Sequence, residues 1–230
     1  MVLFAKKLFQ SLQKRFKTLS KALEDSLFLS QCRGVVHVGA NSGQEAKMYN
    51  RFGLNVLWVE PIEDIVRKLK INIQKYKRQV AVRALVTDKT GINYDFHIAN
   101  NGGASSSILK FDKHKDIWPE VTFEKTIQMR STTLPDLLEQ LKLNLKAYDC
   151  LILDTQGTEL LVLKGASSCL QSFRFIKVEA ADFESYQGCC TDKDISDFLK
   201  EYKFKELRRK CFARHRGGGS YYDIIFKRFS

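Results

Sequence analysis

Acidic side chains and one glycine-rich loop follow the predicted strands of this 230-residue chain. The loop spans Gly39 to Gly43, and the acids at later strand ends are Glu60, Asp88, Asp154 and Glu179. A single acid at such a place can simply cap a helix or face its dipole. Several acids at the ends of neighbouring parallel strands meet at one edge of the sheet, where ligands of α/β proteins bind. We therefore expect one acidic ligand site.

The glycine-rich loop does not have the pattern of a phosphate site. Dinucleotide-binding loops have G-x-G-x-x-G, whereas this loop has Ala40 and Asn41 where the second, close-set glycine would stand. A P-loop would need G-K-S or G-K-T, and the chain lacks it here. The acidic rim disfavours a phosphate further, so the ligand is expected to carry no phosphate.

S-adenosylmethionine (SAM) meets these requirements, because it has ribose hydroxyls, a positive sulfonium and an amino-acid end. Glu60 ends the second predicted strand seventeen residues after Gly43, where a carboxylate can accept hydrogen bonds from both ribose hydroxyls. Gly39 and Gly43 lack a Cβ and so allow the methionine end to approach the backbone. Asp154 is expected to hold the ammonium group or the substrate.

The elements that must position these residues alternate between strand and helix, which predicts a parallel sheet with helices on both faces. Predicted strands cover 35–38, 55–60, 79–87, 126–131, 148–154 and 174–180, with an added antiparallel strand at 92–100 and a hairpin around Gly217–Gly219. Predicted helices cover 42–52, a stretch opened by Pro61, 134–145, 158–170 and 191–202, the last with Thr191 and Asp194 as a capping box.

Five segments together resemble the FkbM family of SAM-dependent methyltransferases: VHVGANSGQE, WVEP, ALVTDKTG, SSSILKF and LILDTQGTELLVLKGA. The resemblance covers about residues 33–180, and His37 departs from it, because many relatives have Asp there. It implies a class I methyltransferase fold, Rossmann-like, with a seven-stranded sheet whose last strand is antiparallel. It also implies O-methylation of a sugar or natural-product hydroxyl. The expected cofactor-binding residues are Gly39, Ala40, Asn41, Gly43, Glu60, Pro61 and Asp88.

Methyl transfer to a hydroxyl needs an aligned oxygen and a base that takes its proton. The candidates for the base or for a substrate clamp are Asp154 and Glu179, which should end adjacent strands, with His114 third. A carboxylate pair can instead hold a divalent metal that lowers the hydroxyl pKa. The sequence has no clear Asp triad, so a metal is not favoured. His37 lies inside a strand and is interpreted as a core residue.

The net charge of +12 favours an anionic partner and leaves nucleic acid open as an alternative. The turn after the Asp154 strand is DTQG, without the Pro-Pro-aromatic sequence by which amino-methylating enzymes of nucleic acid hold a base. An RNA methyltransferase is therefore the second hypothesis. A non-catalytic SAM-binding adaptor at a membrane surface is the third.

The first 30 residues predict a basic amphipathic helix ahead of a catalytic domain at 31–230. Leu8, Leu12, Phe16, Leu19, Leu23 and Leu27 fall on one face, and six Lys and Arg fill much of the rest. Such a helix can lie on an anionic membrane, pack on its own domain or form a homodimer. The sequence shows no secretory signal or membrane span, and its six cysteines lack metal-ligand spacing. These features predict a reducing, cytoplasmic location, peripheral at the membrane if the helix binds lipid.

Overall fold

The computed structural model describes residues 27–229. The chain divides into two compact units, Met1–Cys32 and Arg33–Ser230. In the first unit the described part forms a 3-10 turn, Leu27–Gln31. The predicted N-terminal helix otherwise lies outside the described residues, so its role stays a prediction.

The second unit contains a seven-stranded sheet in the order β3-β2-β1-β7-β8-β10-β9. Its strands are β1 (Gly34–Val38), β2 (Asn55–Glu60), β3 (Gln79–Arg83), β7 (Cys150–Leu153), β8 (Phe175–Ala181), β9 (Phe204–Arg214) and β10 (Ser220–Arg228). Neighbours from β3 to β8 pair parallel, whereas β10 pairs antiparallel with both β8 and β9. The predicted seven-stranded sheet with an antiparallel last strand is therefore confirmed.

A second, three-stranded sheet contains β4 (Leu85–Val86), β5 (Asn93–Ala99) and β6 (Phe123–Thr132) in the order β4-β6-β5. The sequence predicted a single strand over 79–87, and this was wrong. The backbone leaves the large sheet at Ala84, and the next two residues pair with Ser131 and Thr132 of β6 instead. The predicted antiparallel strand at 92–100 is confirmed as β5, but it belongs to this small sheet.

Six α-helices lie between the strands of the described chain. They are α1 (Ala46–Arg51), α2 (Glu63–Ile73), α3 (His114–Ile117), α4 (Leu134–Gln140), α5 (Glu159–Gly165) and α6 (Asp192–Glu201). Most are shorter than predicted, and α2 begins two residues after Pro61. Thr191 caps α6, and the predicted capping box with Asp194 is present. No helix among residues 27–229 is long and apolar enough to cross a bilayer.

Alternating strand residues divide the large sheet into an apolar face and a mixed face. One face carries Val36, Leu57, Leu151 and Val178, which form one core with residues of α4, α5 and α6. The following positions in the pleat point to the other face and include His37, Glu60 and Glu179. The functional side chains therefore come from a face that the apolar core does not occupy.

His37 lies on this mixed face as a buried and satisfied residue. Its Nδ1 is 3.2 Å from the hydroxyl of Tyr49, and its ring stacks on Trp58 at 5.2 Å. Burial lowers the pKa of His37 to about 3, so the imidazole is neutral at physiological pH. His37 is thus buried, as interpreted from the sequence, but it also lines the cleft at the carboxyl ends of the strands.

Candidate active site

A cleft opens at the carboxyl ends of β1, β2 and β7, where the strand order reverses, as expected for a ligand site in an open α/β sheet. It encloses about 940 Å³ including its open mouth. Its lining residues lie within 37–41, 44–45, 60–62, 84–86, 103–108 and 154–158, together with Phe96. The glycine loop, Glu60 and Asp154 are thus brought together as predicted.

The glycine loop is held against β2 and against the end of β7. The N–H groups of Gly39 and Ala40 both donate to the carbonyl of Val59, at 3.0 and 3.1 Å. Gly39 has a φ of 81°, and a Cβ there would lie 1.8 Å from the carbonyl oxygen of Asp154. Only glycine fits this position, because a side chain would clash with backbone in a conformation that already disfavours it.

The other two predicted loop positions have separate tasks. Asn41 also has a positive φ, 44°, and its side chain accepts the N–H of Ser42 at 2.7 Å. Gly43 does not line the cleft. Its φ is 74°, its N–H donates to Ala40, and a Cβ would press on Leu69 of α2 at 2.5 Å. Gly43 therefore fixes the loop against α2 and does not touch the ligand space.

Glu60 is buried at the cleft wall with both carboxylate oxygens held by backbone donors. Its Oε2 accepts from the N–H of Asn41 and its Oε1 from that of Ile62, both at 2.9 Å. Burial raises the pKa of Glu60 to about 7, although the two N–H groups oppose the rise. Each oxygen keeps a free lone pair, so the fixed carboxylate can still accept two ribose hydroxyls. The cleft volume and this carboxylate fit SAM.

Asp154 and Glu179 lie on adjacent strands, β7 and β8, and a glutamine joins them. The side-chain amide of Gln156 donates to Oδ1 of Asp154 at 2.6 Å and reaches Oε1 of Glu179 at 3.4 Å. Asp154 and Glu179 are both intermediate between buried and exposed. Burial raises the pKa of Asp154 to about 6, and burial together with Asp154 raises that of Glu179.

The turn that carries Gln156 is fixed at several points. Gln156 has a φ of 56°, and its carbonyl accepts from the hydroxyl of Ser107 at 2.8 Å. Its side-chain oxygen accepts from the hydroxyl of Tyr186, also at 2.8 Å. The carboxylate of Glu159 accepts the N–H groups of Thr155 and Gly157, so this acid has a structural task. Gln156 and Tyr186 were missed from sequence, although the DTQG turn places a polar residue beside Asp154.

The remaining predicted site residues divide into one inside the cleft and two outside it. Pro61 lines the cleft. Asp88 does not line the cleft. It follows β4 and packs against the end of α5, where a Cβ added to Gly165 would lie only 2.9 Å from the Cα of Asp88. His114 is buried outside the cleft lining and stacks on Phe111. We therefore carry neither Asp88 nor His114 into the chemistry.

The pKa of His114 is also too low for a general base that works near pH 7. Its Nε2 lies 3.1 Å from the hydroxyl of Ser105, and burial lowers its pKa to about 4. Among the described residues, no three His, Cys, Asp or Glu side chains are arranged to hold a metal ion. Asp154 and Gln156 line the cleft and Glu179 lies just behind them; Glu45, which the sequence reasoning missed, also lines the cleft, and its Oε2 is buried without a hydrogen-bond partner among the described residues.

The sheet order, with its antiparallel β10, and the cleft with Glu60 define a class I SAM-dependent methyltransferase. The family model for the methyltransferase FkbM domain matches residues 37–206, which is more than half of the chain. The chain belongs to this family, and SAM is its methyl donor. The resemblance predicted from the sequence motifs is confirmed.

The solved structures that the chain resembles are distant in sequence. Magnesium protoporphyrin IX methyltransferase (ChlM) from Synechocystis with bound SAM is 14% identical, covers 94% of this chain and 79% of its own, and has a TM-score of 0.46. The 1,6-didemethyltoxoflavin-N1-methyltransferase of Burkholderia thailandensis is 12% identical, with coverages of 85% and 71% and a TM-score of 0.44.

Sp1610 of Streptococcus pneumoniae, whose assignment as a tRNA (m1A22) methyltransferase is provisional, is 8% identical. The match covers 86% of this chain and has a TM-score of 0.47. The chain spans 65% of the length of that structure. No curated protein matches the sequence significantly.

Proposed function

We propose that the protein transfers the methyl group of SAM to a hydroxyl oxygen, and that a sugar in a glycan, glycolipid or natural product carries this hydroxyl. The observation that carries the proposal is the acid pair Asp154 and Glu179, held together by the amide of Gln156 beside the cleft. A hydroxyl is a poor nucleophile and needs a base, whereas an amine that is already neutral needs none.

The donor side of the site is supplied by Glu60 and the glycine loop. When bound, SAM supplies a methyl group on a positive sulfur, which makes its carbon reactive. Glu60 holds the ribose through its two oxygens, because both are fixed in place by backbone N–H groups. The backbone of Gly39 and Ala40 bounds the methionine end, and Pro61 forms part of the wall.

The acceptor side is supplied by the acid pair. The acceptor oxygen bonds to the methyl carbon while the carbon–sulfur bond breaks, and the electron pair of that bond stays on sulfur. The hydroxyl proton passes to a carboxylate of the pair. A base works best when its pKa is near the working pH, and the raised pKa of Asp154, about 6, brings it closer to neutrality than an exposed Asp. Asp154 is our first choice, because it lines the cleft itself.

The test is a methyl-transfer screen with radiolabelled SAM over glycans, glycolipids and RNA, followed by mass spectrometry of the labelled product. The proposal predicts label on an oxygen of a carbohydrate, and turnover by Asp154→Asn that is lowered about 10²- to 10⁴-fold under conditions where SAM still binds. The control variant is Asp182→Asn, since Asp182 lies outside the cleft lining and accepts from the N–H of Ser220. Label on nucleic acid alone, or on nitrogen, would overturn it.

A further inference from the structure

A second, smaller cavity lies beside the cleft; its space of about 260 Å³ includes its open mouth, and its closed part has room for about one water molecule. Its walls come from the DTQG turn, the end of β8, the segment after β8 and the start of β10. The side chains that matter for its chemistry are those of Gln156, Glu179, Ser185, Tyr186 and Tyr221. The cavity is thus contiguous with the acid pair but is not part of the donor cleft.

Gln156 is the partition between the two spaces, because it lines both of them. Asp154 lines the cleft and Glu179 lines the cavity, and the Gln156 amide lies between these two carboxylates. The hydroxyl of Tyr186 holds the other end of the amide at 2.8 Å. A rotation of this one side chain would therefore join the cavity to the cleft at the acid pair.

Tyr221 places an unsatisfied hydroxyl at the cavity. The residue is 4% exposed, and its oxygen has no hydrogen-bond partner among the described residues. The side chain of Ser185 is close enough to oppose the rise that burial causes in the pKa of Tyr221, without reaching hydrogen-bond geometry, and its hydroxyl lies 3.7 Å from the sulfur of Cys189. A buried hydroxyl without a partner is costly, so a ligand that supplies a donor or an acceptor here would be favoured.

The charge of the cavity restricts the ligand. Glu159 and Glu179 contribute carboxylates to the lining, and Asp154 lies just beyond the partition. No Lys, Arg or His among the described residues lines it. Lys177 lies on the mixed face of β8, where it pairs with Asp223 at 2.7 Å and also interacts with the carboxylates of Asp154 and Glu179. A phosphate or carboxylate would therefore meet carboxyl groups in the lining and no cation to offset them, which disfavours an anionic ligand.

We infer that this cavity is the inner end of the acceptor subsite, closed by the Gln156 side chain, and that when this side chain turns away it takes a hydroxyl borne on an uncharged or positively charged group, such as a neutral or amino sugar. This inference rests on the proposed function. The Gln156 amide is a hydrogen-bond donor between two carboxylates, which is the position that the reacting hydroxyl must occupy as a donor. The acceptor takes that position when the amide turns away, and the hydroxyl of Tyr221 binds a second polar group of the acceptor.

The inference is tested with three methyl glycosides that share one ring: those of glucose, glucosamine and glucuronic acid. Saturation-transfer NMR with saturating S-adenosylhomocysteine measures their binding, and release of S-adenosylhomocysteine from SAM measures turnover. We expect the neutral and amino glycosides to bind at least tenfold more tightly than the glucuronide. We expect Tyr221→Phe, which removes only the oxygen, to raise the acceptor Kd and KM about 2- to 10-fold and to leave SAM affinity unchanged.

Tyr222→Phe is the matched control, because it removes a hydroxyl that bonds to Asp182 at 3.2 Å outside the cavity. Equal binding of the glucuronide, no binding of any glycoside, or equal effects of the two Tyr variants would overturn the subsite. Glycoside methylation with an unchanged KM in Tyr221→Phe would refute the subsite and leave the proposed function standing. Methylation of an amine nitrogen with a raised KM in Tyr221→Phe would refute the function and support the subsite.

Discussion

Glu60 offers the sharpest prediction, because its burial couples donor binding to pH. Burial raises its pKa to about 7, yet the ribose hydroxyls need the ionised carboxylate as acceptor. Glu60 would be about 90% ionised at pH 8 and about 10% at pH 6, if its pKa in the free protein is about 7. The affinity for SAM should therefore fall roughly tenfold from pH 8 to pH 6, since the bound state requires loss of a proton.

The Glu60→Gln variant should lose both affinity and this pH dependence. A hydrogen bond to a charged acceptor contributes about 1 kcal/mol more than one to a neutral acceptor, so two ribose hydroxyls lose roughly 2 kcal/mol. That is about a 30-fold increase in the SAM Kd at pH 8. The carboxylate of Glu60 accepts the backbone N–H groups of Asn41 and Ile62. In the variant, the side-chain N–H₂ would face one of these two donors.

Isothermal titration calorimetry of SAM at pH 6, 7 and 8 measures both effects. Asp154 also lines the cleft and has a pKa of about 6, so the same titration in Asp154→Asn separates its contribution. Glu63→Gln is the control, because Glu63 lies outside the cleft lining, its side chain is about half exposed, and it pairs with Arg83. The reasoning is refuted if the wild-type Kd is equal at pH 6 and pH 8, or if Glu60→Gln keeps the slope.

Three further predictions concern the acid pair, the glycine loop and a helix cap. Asp154→Asn should lower kcat about 10²- to 10⁴-fold in a turnover assay, and Glu179→Gln should lower it less. The SAM Kd of both variants, measured by calorimetry, should stay within about threefold of the wild-type value. If kcat is unchanged in both variants, another residue is the base. Gly39→Ala should lower the free energy of unfolding, measured in urea, by more than about 3 kcal/mol. Gly188→Ala should lower it by only about 1 kcal/mol, because Gly188 has a positive φ but no neighbour within 4 Å. Equal losses would contradict the clash with Asp154. Thr191→Ala should cost about 1 kcal/mol by the same measurement and leave SAM affinity unchanged, and no loss would mean that the cap is not needed.

The sequence was sufficient for the sheet and for the donor cleft because both depend on local patterns. Apolar runs located the strands of the parallel sheet, and the residues directly after them, Gly39 and Asp154, are the ones that meet in the cleft. Glu60 was found by the same reasoning. Each of these acids lies within a residue or two of the end of a strand, so an error of that size in a predicted strand boundary still places the acid at the edge of the sheet.

The acceptor side could not be predicted, because it depends on contacts between distant segments. Tyr221 reaches the site through the register of β10 on β8, where it lies opposite Ala181. His114 is polar and lies in an irregular segment, which suggested a reactive group. Its surroundings, Phe111, Trp118 and Tyr186, become neighbours only after folding, and they bury it. No periodicity in the sequence reports such contacts.

The irregular insertion at residues 100–120 and the C-terminal hairpin of β9 and β10, which we expect to select the acceptor, come into contact in the structure. His215 in the hairpin lies 2.8 Å from Asp116 in the insertion, and Tyr221 packs edge-on against Trp118. Which acceptor they select stays a prediction. Because residues of both segments contribute to this contact, neither segment has a sequence motif of its own.

The partition by Gln156 has a consequence for engineering. Donor recognition depends on the glycine loop and Glu60, whereas the walls of the small cavity come from Ser185, Tyr186 and Tyr221. A library that varies the second set can search for new acceptors while the first set remains constant. Cofactor analogues with larger transferable groups can likewise be sought by varying the first set, so the two selectivities can be evolved in separate rounds and then combined.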